Sequence, residues 1–301
     1  MKRQNPQPPS SLALATPGGG HALPDRQSRI RGGKLGRVVF IGAGPGAADL
    51  ITVRGAQRLA QADVVLFDAL TDPALRELAP HAKWINVGKR GFGDSTGQTT
   101  IDAMLVRWAQ RVANVVRLKG GDPSVFGRLE EELQALAAAG IGCEVVPGVT
   151  AAIAAAADTQ RPLTRRGTGR SVSLSTAMTR SGDLPAGQRA GEQADKQAYR
   201  RADTEVFYMA GRQLAALGRT LRAAGWPPNT AVCVVSRAGW PDGLSSDHAL
   251  GELGAAAVLH AGRPTVVTVG AGARAVVWVA QPARAAPLAV PVPTERTLPA
   301  S

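Results

Sequence analysis

Two glycine-rich turns, each placed after an apolar run, constrain this chain more than anything else in it. Gly42-Ala43-Gly44-Pro45-Gly46 follows Val38-Val39-Phe40-Ile41. Further on, the run 112–116 leads through Arg117-Leu118-Lys119 into Gly120-Gly121-Asp122-Pro123, and an acidic pattern, Glu130-Glu131-Glu132, comes next. Adjacent glycines let the backbone come close to a bound group and take torsions that other residues avoid. The Asp122 carboxylate and the exposed amides beside it would then face a polar or cationic ligand. Two strand-to-loop glycine turns in one α/β unit predict a single small-molecule site at the carboxyl ends of the strands.

The hydrophobic pattern supplies the rest of that unit. It predicts strands at 38–41, 62–68, 84–87, 114–117 and 142–146, and helices at 50–62, 73–78, 100–113, 129–139 and 151–157. Strands alternating with helices predict a mostly parallel sheet. A second unit starts near Pro162, with strands at 171–175, 205–209, 230–235 and 265–269 and helices at 214–224 and 250–259. Segments 90–99 and 180–201 are polar; the first reads as a mobile loop, the second as a loop or weak helix. The expected organisation is a disordered basic tail at 1–36, an N-terminal α/β domain at 37–160, a C-terminal α/β domain at 161–273 and a Pro/Ala-rich flexible tail at 274–301.

Composition narrows the function. Of 301 residues, 44% are hydrophobic, ample for buried cores, and no apolar run is long enough to predict a membrane span. The start of the chain lacks the apolar core of a secretory signal, so a cytoplasmic protein is expected. Net charge is +12, part of it in the tail. The remainder suits nucleic acid or a small polyanion. The absence of a stripe of alternating aromatic and basic residues favours the small anion. His21, His81, His248 and His260 are scattered without ligand spacing, so no metal site is expected. Cys143 and Cys233 lie in apolar runs and read as two reduced, buried thiols.

Taken singly, the motifs have plain structural readings. Gly42 to Gly46 could be a tight turn, Asp122 a turn cap, Asp68 a loop cap at a strand end, and Lys89-Arg90 a solvated pair. Their joint order is more specific. The stretches Val39 to Gly46, Val64 to Leu70, Val87 to Arg90, Val116 to Pro123, Phe126-Gly127-Arg128, Val146 to Ala151, Arg161 to Gly167 and Phe207-Tyr208-Met209 together resemble the tetrapyrrole methylase family. The resemblance spans about 37–270.

It implies two α/β domains with the active site in the cleft between them, S-adenosylmethionine as methyl donor and no metal. Within the family it is nearest to members that place two methyl groups on uroporphyrinogen III, giving precorrin-2 for siroheme and cobalamin synthesis. By the same resemblance, Pro45, Gly120, Gly121, Asp122, Val125, Thr150, Ala151, Met209 and Gly239 would line the cofactor pocket. Asp68 would match the proton acceptor and Lys89 the proton donor. A homodimer is implied, with a polycarboxylate tetrapyrrole as partner and neither membrane nor nucleic acid. No further enzymatic domain is taken to precede residue 37, so the chain is expected to perform the methylations alone.

Four positions depart from the family pattern: Met178, Arg165, Ala210 and Trp240. They keep two other readings open. One is a methylase of the same fold acting on a later corrin precursor. The other is a binding or regulatory protein on a decayed methylase scaffold, or one using its basic tail on nucleic acid.

Overall fold

The computed structural model describes residues 35–88, 97–177 and 201–276. Residues 1–34 and 277–301 of the two expected tails, together with Lys89, Arg90 and Met178, lie outside the described residues. So do most of the two polar segments.

Five strands build the first sheet: β1 (Arg37–Gly42), β2 (Val64–Phe67), β3 (Lys83–Asn86), β4 (Asn114–Lys119) and β5 (Cys143–Val146). All pairings are parallel, in the order β3-β2-β4-β1-β5. Near-continuous Val, Leu and Ile runs suit strands covered on both faces. Val39, Ile41, Val65, Phe67, Val116 and Leu118 form one face under α1 (Val53–Leu59), whose first turn is capped by Thr52 accepting from the Gly55 N–H at 3.0 Å. Val38, Phe40, Val64, Leu66 and Val115 form the other, under α2 (Gln98–Ala109) and α3 (Leu129–Ala138). The segment Pro73–Leu78 is a 3-10 helix started by Asp72.

α4 (Ala151–Asp158) leaves this sheet and lays Ala152, Ala154 and Ala155 on the second one, beside Val206, Tyr208, Val235 and Val266. Small side chains let the helix sit close to the strands. The second sheet holds β6 (Val172–Thr176), β7 (Thr204–Tyr208), β8 (Ala231–Ser236), β9 (Leu244–Ala249) and β10 (Thr265–Gly270), in the order β6-β7-β10-β8-β9. Its far face is covered by α5 (Leu214–Ala223), through Leu214, Leu217 and Leu221.

Two expectations need correction, the helix at 250–259 and the burial of Cys143, and the second sheet has a strand order the sequence reading did not address. The second sheet is mixed, because β10 runs antiparallel to both β7 and β8, and β9 antiparallel to β8. The β8–β9 connection carries no crossover helix, which a parallel pair would require. β9 itself went unpredicted because Leu244-Ser245-Ser246-Asp247-His248-Ala249 is a polar edge strand. The helix expected at 250–259 is a 3-10 turn, Leu250–Ala255, followed by α6 (Ala256–Leu259); Gly251 and Gly254 disfavour a regular α-helix there. Cys233 is buried but Cys143 is exposed, since it starts β5 at the open edge of the first sheet.

Beneath the second sheet runs a chain of polar contacts. Ser236 Oγ meets His260 Nδ1 at 2.8 Å, His260 Nε2 meets Ser246 Oγ at 2.8 Å, and Ser246 Oγ meets His248 Nε2 at 2.7 Å. His260 is fully buried, and burial holds its pKa below the ordinary 6.5, with the His248 and Arg263 charges adding to the effect. As pH falls through the ordinary value, the unfolded chain takes up a proton that folded His260 refuses, so stability drops with acid. The wild type should lose melting temperature between about pH 7.5 and about pH 5.5, and His260→Asn should flatten that decline. Thermal unfolding across this range checks it; equal slopes in both proteins would exclude the His260 contribution.

Candidate active site

The carboxyl ends of β1 and β4 open into the two glycine turns, which touch each other. Gly44 and Gly121 exchange backbone hydrogen bonds, Gly121 N–H to Gly44 O at 2.7 Å and Gly44 N–H to Gly121 O at 3.4 Å. Gly121 has φ +76, a torsion that suits glycine. Asp122 organises the loop from within. Its Oδ1 accepts from the Ser124 N–H at 2.7 Å and its Oδ2 from the Gly148 N–H at 2.8 Å, tying the β4 turn to the one after β5.

These turns and the near end of the second sheet enclose a cavity of about 250 Å³. Pro45, Gly120, Gly121, Asp122, Val125, Thr150, Ala151 and Met209 all line it. Gly239 is not on the wall but sits between the lining residues Ala238 and Trp240. Lys89 falls outside the described residues. The sequence reading did not place Leu70, Phe126, Tyr208, Arg237 and Trp240 on this wall. Phe126, Met209 and Arg237 are left-handed at φ 53, 57 and 54. Non-glycine residues held there cost energy and tend to gather at functional sites. A larger cavity of about 560 Å³ lies at the other end of the second sheet, by Arg201, Asp203, Trp226 and Arg274. It has neither of the two glycine turns, so the chemistry is assigned to the smaller one.

Several contacts hold the two halves together around this cavity. Trp240 donates its indole N–H to the Pro45 carbonyl at 2.9 Å, with the Arg237 guanidinium 4.4 Å from its ring centroid. The Ala47 N–H reaches the Gly239 carbonyl at 2.8 Å, and a Cβ on Gly46 would overlap Gly239. The Tyr208 hydroxyl meets Thr150 Oγ1 at 2.8 Å and accepts from the Ala152 N–H at 3.3 Å, while its ring packs on Phe126 at 5.0 Å. Burial pushes the Tyr208 phenol above its ordinary pKa.

Asp68, at the end of β2, is not on the cavity wall but contacts it through the lining residue Gly120. Its Oδ2 accepts from the N–H of Gly120 at 3.3 Å, and its Oδ1 lies 2.6 Å from Arg117 Nη2. Strand alternation explains the rest. Arg117 and Lys119 share the β4 face under α3, and Glu132 of α3 meets both, at 2.9 Å from Arg117 Nε and 2.6 Å from Lys119 Nζ. Arg117, Lys119 and Glu132 are all buried. Burial alone would lower the Arg117 pKa, but the Asp68 and Glu132 carboxylates raise it above its ordinary value. Lys119 goes the other way: burial, then the Arg117 charge, lowers it despite Glu132. Among the described residues, no group of three or more His, Cys, Asp or Glu could hold a metal ion, and no helix is long and apolar enough to cross a membrane.

Comparison with known proteins bears on this geometry. The family model of the tetrapyrrole (corrin/porphyrin) methylases matches residues 37–254. The uroporphyrinogen-III C-methyltransferase of Pseudomonas aeruginosa is 38% identical over 247 residues, covering 80% of this chain and 96% of that protein. Siroheme synthase 1 of Yersinia pseudotuberculosis is 44% identical over 205 residues, and the chain spans only 42% of its length. The crystal structure of a Thermus thermophilus uroporphyrin-III C-methyltransferase, complexed with S-adenosylhomocysteine, superposes with a TM-score of 0.65 at 33% identity. It covers 78% of this chain and 97% of that one.

The buried charges yield a stability test. Glu132→Leu leaves the Arg117 and Lys119 cations beneath α3 without the carboxylate between them, and should cost about 3–5 kcal/mol, measured by urea unfolding. Trp240→Phe, which removes the bond to Pro45 along with part of the ring that Arg237 covers, should cost about 1 kcal/mol or more.

Proposed function

The chain belongs to the tetrapyrrole methylase family, and on that premise we propose that it transfers two methyl groups from S-adenosylmethionine to uroporphyrinogen III, giving precorrin-2. The product would serve siroheme or cobalamin synthesis. The observation that carries this reading is the composite cavity: two glycine turns from the first sheet, closed by Met209, Arg237 and Trp240 from the second, with the Asp68 carboxylate bonded to the lining residue Gly120.

The residues present fit the cofactor. Gly120 carries no side chain, and a Cβ there would meet only Leu70, at 3.6 Å, so the backbone is open to a ligand. Leu70, Val125, Phe126 and Val266 provide apolar wall, and Asp122 is the acid among the lining residues, suited to a cation. When bound, S-adenosylmethionine supplies an electrophilic methyl on a sulfonium. On this reading Pro45, Gly120, Gly121, Asp122, Val125, Thr150, Ala151 and Met209 hold the cofactor, with Gly239 bracing the wall. Their work is to fix the donor in line with the acceptor carbon, so that little motion remains before transfer.

Asp68 is the group assigned to the acceptor. A pyrrole carbon gains positive charge as it takes a methyl, and a proton must then leave. A carboxylate beside the cavity wall meets that charge or takes the proton. Lys89 is assigned the complementary donor role, and arginines suit a substrate rich in carboxylates. Residues 37–160 and 161–273 act as the two domains, and the protein works as a cytoplasmic homodimer with neither nucleic acid nor membrane as partner.

An anaerobic assay with uroporphyrinogen III and S-adenosylmethionine, read by absorption and mass spectra of the oxidised product, tests this. A gain of two methyl groups is expected. Methylation of a later precursor instead, or cofactor binding with no turnover, would overturn the substrate or the activity respectively. Asp122→Ala removes the acceptor of two loop N–H groups, and calorimetry should show S-adenosylhomocysteine bound about tenfold or more weakly.

A further inference from the structure

The charged cluster behind the cavity is more than a structural ion pair. Arg117 uses every edge of its fork: Nη2 on Asp68 at 2.6 Å, Nε on Glu132 at 2.9 Å, and Nη1 on the Leu118 and Leu66 carbonyls at 3.1 and 3.4 Å. Glu132 is in turn held by Lys119. Two cations and two anions alternate, so the cluster is neutral when all four are ionised. Only Asp68 reaches solvent: its side chain is 30% exposed, against 3% or less for the other three. One carboxylate beside the cavity wall is therefore backed by a buried, fully engaged guanidinium. A planar fork with several anchors fixes a carboxylate in orientation as well as position, which an ammonium does not do.

We propose that Arg117 is a positioning residue for the methyl transfer: anchored on Glu132 and two strand carbonyls, it holds Asp68 Oδ1 so that Oδ2, beside the Gly120 N–H, is the oxygen presented to the tetrapyrrole. Arg117 touches neither substrate nor cofactor and acts through Asp68. The inference rests on the assignment of Asp68 above. It adds that the carboxylate is useful only in the orientation the guanidinium imposes.

The test is a cycle of Asp68→Asn, Arg117→Lys and the double variant, in the full chain. Asp68→Asn should lower kcat about 100-fold or more. Arg117→Lys keeps the charge but not the fork, and should lower kcat about tenfold or more. Its KM for uroporphyrinogen III and its calorimetric affinity for S-adenosylhomocysteine should stay within about twofold of wild type. The double variant should be no slower than Asp68→Asn alone, because Arg117 then has nothing left to orient. Full kcat in Arg117→Lys, or losses that multiply in the double variant, would overturn the inference while leaving the role of Asp68 intact. Full turnover in Asp68→Asn would remove that role, and the inference with it.

Asp68→Glu gives a second route that spares the buried cluster if Arg117→Lys fails to fold. It keeps a carboxylate but pushes it one methylene past the fork. A kcat loss of about tenfold with cofactor affinity unchanged is expected. Wild-type kcat in Asp68→Glu would show that orientation does not matter, and the proposal would fall.

Discussion

The fork of Arg117 is the interaction on which the first half of this molecule turns. It projects from β4 under α3, and its partners come from α3, from β4 itself and from β2 and its end. Burying a guanidinium there is tolerable only because two carboxylates and two carbonyls receive it. Replacing the cluster with apolar side chains of similar volume could leave the fold as stable or more so, since buried ion pairs rarely repay their desolvation. What an apolar replacement could not do is bring a carboxylate against the wall of a cavity at the strand ends. The position of the charge, rather than its contribution to stability, gives the cluster its meaning.

A second constraint acts between the halves. The Ala43–Ala47 turn and the Arg237–Trp240 turn approach so closely that a Cβ on Gly46 would overlap the Gly239 backbone, and one on Gly239 would press on Leu50. α4 adds to this by starting at the cavity, where Thr150 meets Tyr208, and ending where Asp158 accepts from the Gly239 N–H at 2.7 Å. The cavity wall thus combines loops from both sheets, braced by backbone contact as well as by the Trp240 and Tyr208 side chains. Backbone contact is stiff, which is what holding two reactants at close range demands.

How far the sequence could be read follows from where each signal resides. The first sheet was legible because its strands are apolar on both faces and punctuated by glycine. The second was less so, because β9 is polar and the reversal of β10 leaves no mark in periodicity. Exposure of Cys143 depends on strand order, which no local pattern encodes. At the site, positions held by glycine or loop chemistry could be named from the order of the motifs. Phe126, Arg237 and Trp240 could not, since each acts from a left-handed torsion or a bond between loops of the two sheets that appears only once the chain has closed. Arg117 and Glu132 are separated along the chain, and their pairing needs both the strand period and the helix above it.

The departures from the family pattern bear on whether the scaffold has decayed. Three of the four lie within the described residues, and each carries defined structural work. Ala210 is fully buried in the core beneath α5, where a methyl group fills space beside Leu214. Arg165 donates to the Arg274 carbonyl and closes a bridge with Gly169. Trp240 supplies the indole that joins the second half to Pro45 on the cavity wall. Here the contacts across the cleft are intact and one of them is made by a substituted residue.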